Sequence, residues 1–222
     1  MTVTYIGHSG FSVELERCTL LFDYYQGAMP AFDPDKKLYV FASHAHHDHF
    51  VPAIFELRGR YDVTYILSDD IRASGEDILF LGPNQTAQTG GLTVETLRST
   101  DEGVAFSVTV GETRVYHAGD LNLWVWDEEG PEWNAQMERD YPAFLRPFDG
   151  RRFDLAFLPL DPRQEQDRER GLLGFLTHCQ AEHIFPMHMW DDYSVIPALL
   201  AHHPELKDRV AVIEAPGQIF EL

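Results

Sequence analysis

The sequence predicts a single α/β domain over residues 1–222, with sheets sandwiched between helical layers. Strand-like runs dominate its first half, and in the second half they alternate with helical segments, which is the pattern of packed layers. No repeat, low-complexity tract or change of composition marks a linker, and 222 residues suit one substantial core. Several apolar runs also lead straight into polar clusters, so the functional groups fall on loops at strand ends.

Taken in order, Val3–Ile6, Phe11–Leu15 and Thr19–Phe22 are β-rich runs broken by Gly7, Gly10 and the charged pair Glu16-Arg17. Leu38–Ala42 is nearly all apolar, as a strand buried on both faces should be. Pro52–Arg60 carries Ile54, Phe55 and Leu57 at helical spacing behind an opening proline, which predicts a helix. Val63–Leu67 is a further strand. Leu92–Leu97, Val104–Val110 and Thr113–Tyr116 form a meander, with Gly111-Glu112 turning the last hairpin. Residues 121–150, rich in aromatics, acids and proline, break the pattern; Glu132–Leu145 within them reads as helical. Beyond lie a strand at Leu155–Leu158, a helix at Arg168–Cys179, a short strand at His183–Phe185, a helix at Val195–His202 and a closing strand at Val210–Glu214.

Seventeen Lys and Arg face thirty-six Asp and Glu, a formal net charge of −19. That excess repels phosphate backbones and anionic lipid, so nucleic acid and membrane surfaces are poor partners. No run approaches the ~20 apolar residues of a membrane span, and the N-terminus lacks a signal-peptide pattern. Cys18 and Cys179 stand alone without metal spacing, which suits free thiols in a reducing cytoplasm.

The densest chemistry is His44-Ala45-His46-His47-Asp48-His49: four of the eleven histidines and an aspartate in six residues, directly after a buried strand. Imidazole and carboxylate are preferred ligands of zinc and similar divalent ions. His44 and His46, two apart, can reach one ion; Asp48 and His49, on the following turn, can serve a second; His47 is spare. The competing reading is a solvated polar loop.

HAHHDH resembles the HxHxDH signature of the metallo-β-lactamase superfamily through His44, His46, Asp48 and His49. The opening IGHSGF with the later LLFD, the string YHAGD at Tyr116–Asp120 and the segment FPMHMW around His188 are similar, in the same order, to the ascorbate-6-phosphate-lactonase-like branch of small metal-dependent hydrolases. The resemblance implies a four-layer αββα sandwich with a dinuclear centre at one edge. In it Asp120 bridges both metals and His188 is the last metal histidine.

In one position the sequence departs from that pattern. The superfamily usually supplies a further histidine between the hexapeptide and the bridging aspartate, and this chain has none between His49 and His117. Ser99-Thr100-Asp101-Glu102-Gly103 stands there, and Asp101 is the candidate substitute ligand, with Glu102 behind it. A turn residue beside Gly103 is the alternative. The expected cofactors are two divalent ions, zinc first, with manganese or iron favoured by an oxygen ligand. His117 and His8 are read as outer support, with ligation by His117 and a structural turn role for His8 left open.

The expected chemistry is hydrolysis by a metal-activated water, with Asp48 and Asp120 as the catalytic carboxylates. The expected substrate is a small ester, lactone or similar molecule. A phosphodiesterase or nuclease-like hydrolase and a non-catalytic metal-binding protein are the alternatives. No GxSxG elbow, phosphate loop or dinucleotide fingerprint competes. Trp124, Trp126 and Trp133 read equally as a pocket wall or as the subunit interface of a homo-oligomer. The set Arg151, Arg152, Arg163, Arg168 and Arg170 reads as a solvated face ahead of an anion selector.

Overall fold

Successive residues of a strand point to opposite faces, and here that alternation builds two apolar layers from one sheet. The computed structural model describes residues 1–222. β1 (Thr2–Gly7), β2 (Gly10–Glu14), β3 (Cys18–Phe22), β4 (Lys37–Ala42), β5 (Val63–Ser68) and β6 (Ile78–Leu81) lie side by side. In β4, Tyr39 and Phe41 face the main core, while Leu38, Val40 and Ala42 face a smaller one on the other side. The predicted double burial of this strand is what the structure shows.

The second sheet holds β7 (Thr86–Thr89), β8 (Leu92–Arg98), β9 (Val104–Val110), β10 (Thr113–His117), β11 (Arg152–Pro159) and β12 (Gln180–Met187), in the order β12-β11-β10-β9-β8-β7. β7 to β10 form the antiparallel meander, and β10, β11 and β12 run parallel. β13 (Ile219–Glu221) returns to the first sheet and pairs with β1. That sheet is mixed too: β1 to β3 are antiparallel, β3 to β6 parallel.

Three helices follow the strands of the second sheet: α1 (Pro131–Leu145), α2 (Arg170–His178) and α3 (Val195–His202). They send Met137, Tyr141, Phe175 and Leu199 into the core. Sheets flanked by helices are thus confirmed, with one asymmetry. The segment predicted as a helix at 52–60 is a 3-10 helix, Pro52–Leu57, stopped at Gly59 with φ 77°. No side chain caps its first turn; Ile54 and Leu57 are buried in the small core, and Phe55 packs against it.

The closing strand read at Val210–Glu214 is corrected. That stretch makes one parallel bridge, Ile184 with Val210, and then leaves the sheet. Arg209 turns its guanidinium onto the Ala181 carbonyl, and Pro216-Gly217 redirects the chain to β13. No helix is long and apolar enough to cross a membrane. Both cysteines are buried and unpaired.

The sheets interlock beside the future site. Ser43, just past β4, accepts a backbone hydrogen bond from Val104 at the start of β9. Gly103 and Gly119 close over it with φ of 65° and 52°. A Cβ on Gly103 would stand 2.0 Å from the Ser43 carbonyl oxygen, and one on Gly119 would stand 2.6 Å from the Ser43 Cβ. Only glycine allows both the backbone conformation and the approach.

Candidate metal centre

Five loops meet at this edge, and each follows a strand. The register of β1 against β2 slips between Tyr5 and Gly7. The tight turn that follows holds His8 at φ 52°, and bulges are a common means of re-aiming a side chain. The hexapeptide leaves β4 and curls back, with His49 and Phe50 donating their N–H groups to the His46 carbonyl. Asp101 lies between β8 and β9, Asp120 follows β10, and His188 follows β12 at φ 63°. The His188 N–H donates to the His8 carbonyl, docking the outermost loops of the two sheets on each other.

The side chains gather in two groups whose potential ligand atoms lie within 4.8 Å of one another: His44, His46 and Asp120 in one, His8, Asp48, His49 and His188 in the other. Asp120 also faces the second group, with one carboxylate oxygen 3.2 Å from His49 Nε2 and 3.5 Å from His188 Nε2. Its other oxygen is 3.5 Å from His44 Nε2. His8 Nε2 stands 3.6 Å from Asp48. His47 points outward. Asp101 lines the same cavity but lies outside both groups.

The polar atoms at the middle are left unsatisfied. His8 Nε2, His44 Nε2, His49 Nε2 and Asp120 Oδ1 are buried without a protein group that satisfies them, although His49 Nε2 and Asp120 approach to 3.2 Å. Buried polar atoms are rarely left orphaned, because each costs on the order of 1–3 kcal/mol. Imidazole nitrogens and a carboxylate converging on one small space are the donor set of a divalent cation, so these residues fit the metals that the sequence implies.

The other ring nitrogens are held from behind. His49 Nδ1 lies 2.7 Å from Asp23, and His188 Nδ1 lies 2.9 Å from Asp161. A carboxylate can only accept, so it fixes a proton on Nδ1 and turns the Nε2 lone pair toward the centre. Ser43 gives its single hydroxyl proton to Asp23 at 2.6 Å and so accepts from His44 Nδ1 at 3.0 Å. His44 is thereby set in the same tautomer.

Electrostatics follow this arrangement. Burial, then the neighbouring His188 and His49, lowers the His8 pKa to about 3, and burial foremost lowers that of His44 to about 4. Both rings are therefore neutral and able to ligate near neutral pH. Burial works against the Asp161 carboxylate, yet hydrogen bonds from His188 and Arg163 hold it down at about 2. Asp101 is raised, by burial first and then by the charge of Asp120.

Asp23 and Asp161 went unrecognised as site residues in the sequence. Each is an acid that ends an apolar strand run, Thr19–Phe22 and Leu155–Leu160, which was the available sign. His8, expected in an outer or structural role, instead brings a free nitrogen among the candidate ligands. His117 is behind the centre, buried, with Nε2 donating to the Ser9 carbonyl and its ring stacked on Phe22.

The centre opens into a cavity of about 440 Å³. Trp124, Trp126, Trp133 and Trp190 line its wall, with Thr100, Arg163 and the exposed ring of His46. The pocket-wall reading of the tryptophans is thus the geometry found. Of the five arginines singled out, Arg163 alone reaches this cavity.

Comparison with known proteins places the chain. The model of the beta-lactamase superfamily domain matches residues 2–131. A UPF0173 metal-dependent hydrolase of Opitutus terrae is 31% identical over 151 residues, 56% of this chain and 64% of that protein, so the match spans just under two thirds of the relative's length. Igni18, a metallo hydrolase of Ignicoccus hospitalis, superposes with a TM-score of 0.64 at 21% identity, over 100% of this chain and 98% of that one. CmlA, a diiron β-hydroxylase of Streptomyces venezuelae, gives 0.70 at 13% identity, over 100% of this chain and 54% of that one. At such identities the two structures speak to the fold alone, and a hydrolase and a hydroxylase share it. The family match covers more than half the sequence, including the hexapeptide and Asp120, and the chain belongs to the beta-lactamase superfamily.

Proposed function

We propose that this protein is a metal-dependent hydrolase of small esters, lactones or similar molecules, working with two divalent ions. The observation that carries the reading is the convergence of buried, unpartnered His8, His44 and His49 nitrogens and an Asp120 oxygen beside an open cavity that Asp48, Asp120 and His188 line. His44, His46 and Asp120 would hold one ion, and Asp48, His49 and His188 with His8 the other, Asp120 lying between them. Divalent ions bound there supply Lewis acidity and bring a water's pKa toward neutrality.

The protein's own part is positioning. Asp23, Ser43 and Asp161 fix the imidazole tautomers, and the half-buried Asp48 borders the cavity, where it can steer a proton from the attacking water. The indole N–H of Trp124 donates to the Asp120 carbonyl at 2.8 Å and holds that loop in place. Five imidazoles favour zinc; entry of Asp101 as an oxygen ligand would shift the preference toward manganese or iron. The name of the Opitutus terrae relative supports the hydrolase reading. A net charge of −19 argues for a small-molecule substrate over nucleic acid, and the two buried, unpaired thiols favour a reducing cytoplasm.

Metal analysis of protein purified without chelator, followed by ester, lactone and phosphodiester hydrolysis with and without chelator, tests the proposal. Metal above one equivalent and chelator-sensitive ester or lactone hydrolysis are expected. Less than one equivalent after reconstitution, or hydrolysis indifferent to chelator, overturns it.

A further inference from the structure

The cavity wall opposite the ligands has its own organisation. Arg163 is its one arginine or lysine. The guanidinium lies over the Trp190 ring at 4.6 Å and near the Trp126 ring at 5.5 Å. Its Nε and Nη2 donate to the fully buried Asp161 carboxylate, and Nη1 makes no hydrogen bond although half of the side chain is exposed. The same carboxylate accepts from His188 and, at 3.3 Å, from the Trp190 indole. Trp133 spends its N–H on the Trp124 carbonyl. Trp133 and Trp190 are thus pinned by their polar edges, and each remains 42% exposed.

We propose, resting on the hydrolase reading, that this wall selects substrates with a planar aromatic group and a carboxylate: the ring against Trp133 and Trp190, the carboxylate on the free edge of Arg163. Aromatic walls alone would also suit a cationic guest, but the guanidinium between two of the indoles repels one. A neutral aromatic guest would leave the free Nη1 donors unused. A phosphate dianion suits the wall less well than a carboxylate. Asp161 already offsets much of the Arg163 charge, and Asp48, Asp101 and Asp120 line the same cavity. One free guanidinium edge matches one monoanion, and Arg is the side chain that meets carboxylates in two-point geometry.

The experiment compares kcat/KM of metal-loaded protein on 4-acetoxybenzoate, phenyl acetate and monoethyl succinate. In parallel, 4-hydroxybenzoate is titrated against tryptophan fluorescence, which reads recognition without turnover. The aryl carboxylate should be preferred about tenfold or more over phenyl acetate, the range of a charged hydrogen bond. Arg163→Gln should collapse the preference over phenyl acetate, Arg163→Lys should keep part of it, and Trp190→Leu should lower both aryl substrates relative to the succinate. Metal content verifies that each variant is folded. Equal rates on charged and neutral aryl esters, or 4-hydroxybenzoate binding indifferent to Arg163→Gln, overturns the proposal. Saturable, Arg163-dependent binding with no ester cleaved at full metal occupancy leaves the recognition intact and sinks the hydrolase reading instead.

Discussion

The two groups of candidate ligands differ in how their histidines are held: every histidine beside His188 is buried, whereas His46 stands exposed at the cavity. His8, His49 and His188 are almost fully buried, and the rings of His49 and His188 are locked by carboxylates behind them. The other group has three members, and His46 is exposed. Enclosure and ligand number favour retention, while openness favours exchange and access to substrate. An ion in the buried group would be the resident one, and an ion beside His46 the more readily lost. Asp101, which stands where the sequence lacks the superfamily's middle histidine, lines the cavity outside both groups.

The largest effect should come from the residue that faces both groups. Asp120→Ala is expected to lower metal content at both and kcat/KM by about a thousandfold or more, several kcal/mol of Lewis-acid stabilisation being lost. Retention of two equivalents of metal would break the comparison at its root. Next come the carboxylates behind the rings. Asp23→Asn and Asp161→Asn should each weaken metal affinity by about 10–100-fold, measured by competition with a chromophoric chelator. Asp23→Asn should also lower Tm, because Asp23 holds Ser43, His49 and, through Ser43, His44.

His8→Ala and Asp101→Ala sharpen the contrast. The first should weaken the tightly held ion about tenfold, and the second the loosely held one by a similar factor. If Asp101→Ala leaves both ions and the activity intact, Asp101 is a turn residue. The smallest effect is expected of the thiols. Burial pushes the Cys179 pKa up to about 12, so native protein should react slowly with a disulfide reagent, and Cys179→Ala should keep its metal.

How much of this was legible depends on where each residue's determinants lie. β4 and the hexapeptide were readable because strand burial and ligand spacing are local. Asp120 and His188 came from ordered resemblance, since nothing within their own segments brings them to His49. β7 was missed because Thr86–Thr89 has no apolar alternation and is held by its neighbour β8. β13 was missed because it has three residues, placed by pairing with a strand over two hundred positions away. Val210–Glu214 misled through its β-branched composition, which cannot show that only one bridge is made. The position of His8 is set by the register slip between β1 and β2 and by the docking of its carbonyl on His188, and neither leaves a local signature.

The interlock at Ser43 carries a consequence for the life of the chain. One sheet supplies His8 and the hexapeptide, the other Asp101, Asp120 and His188, and the seam between them runs through the Val104–Ser43 hydrogen bond under two glycines. Ions bound across that seam would be bound by the native state and not by the unfolded one, so occupancy would feed directly into unfolding free energy. By mass action, about 2.7 kcal/mol accrues at a hundred times the dissociation constant. The metal-starved chain would be the form that proteases remove, and its abundance in a cell would then follow the supply of the ion.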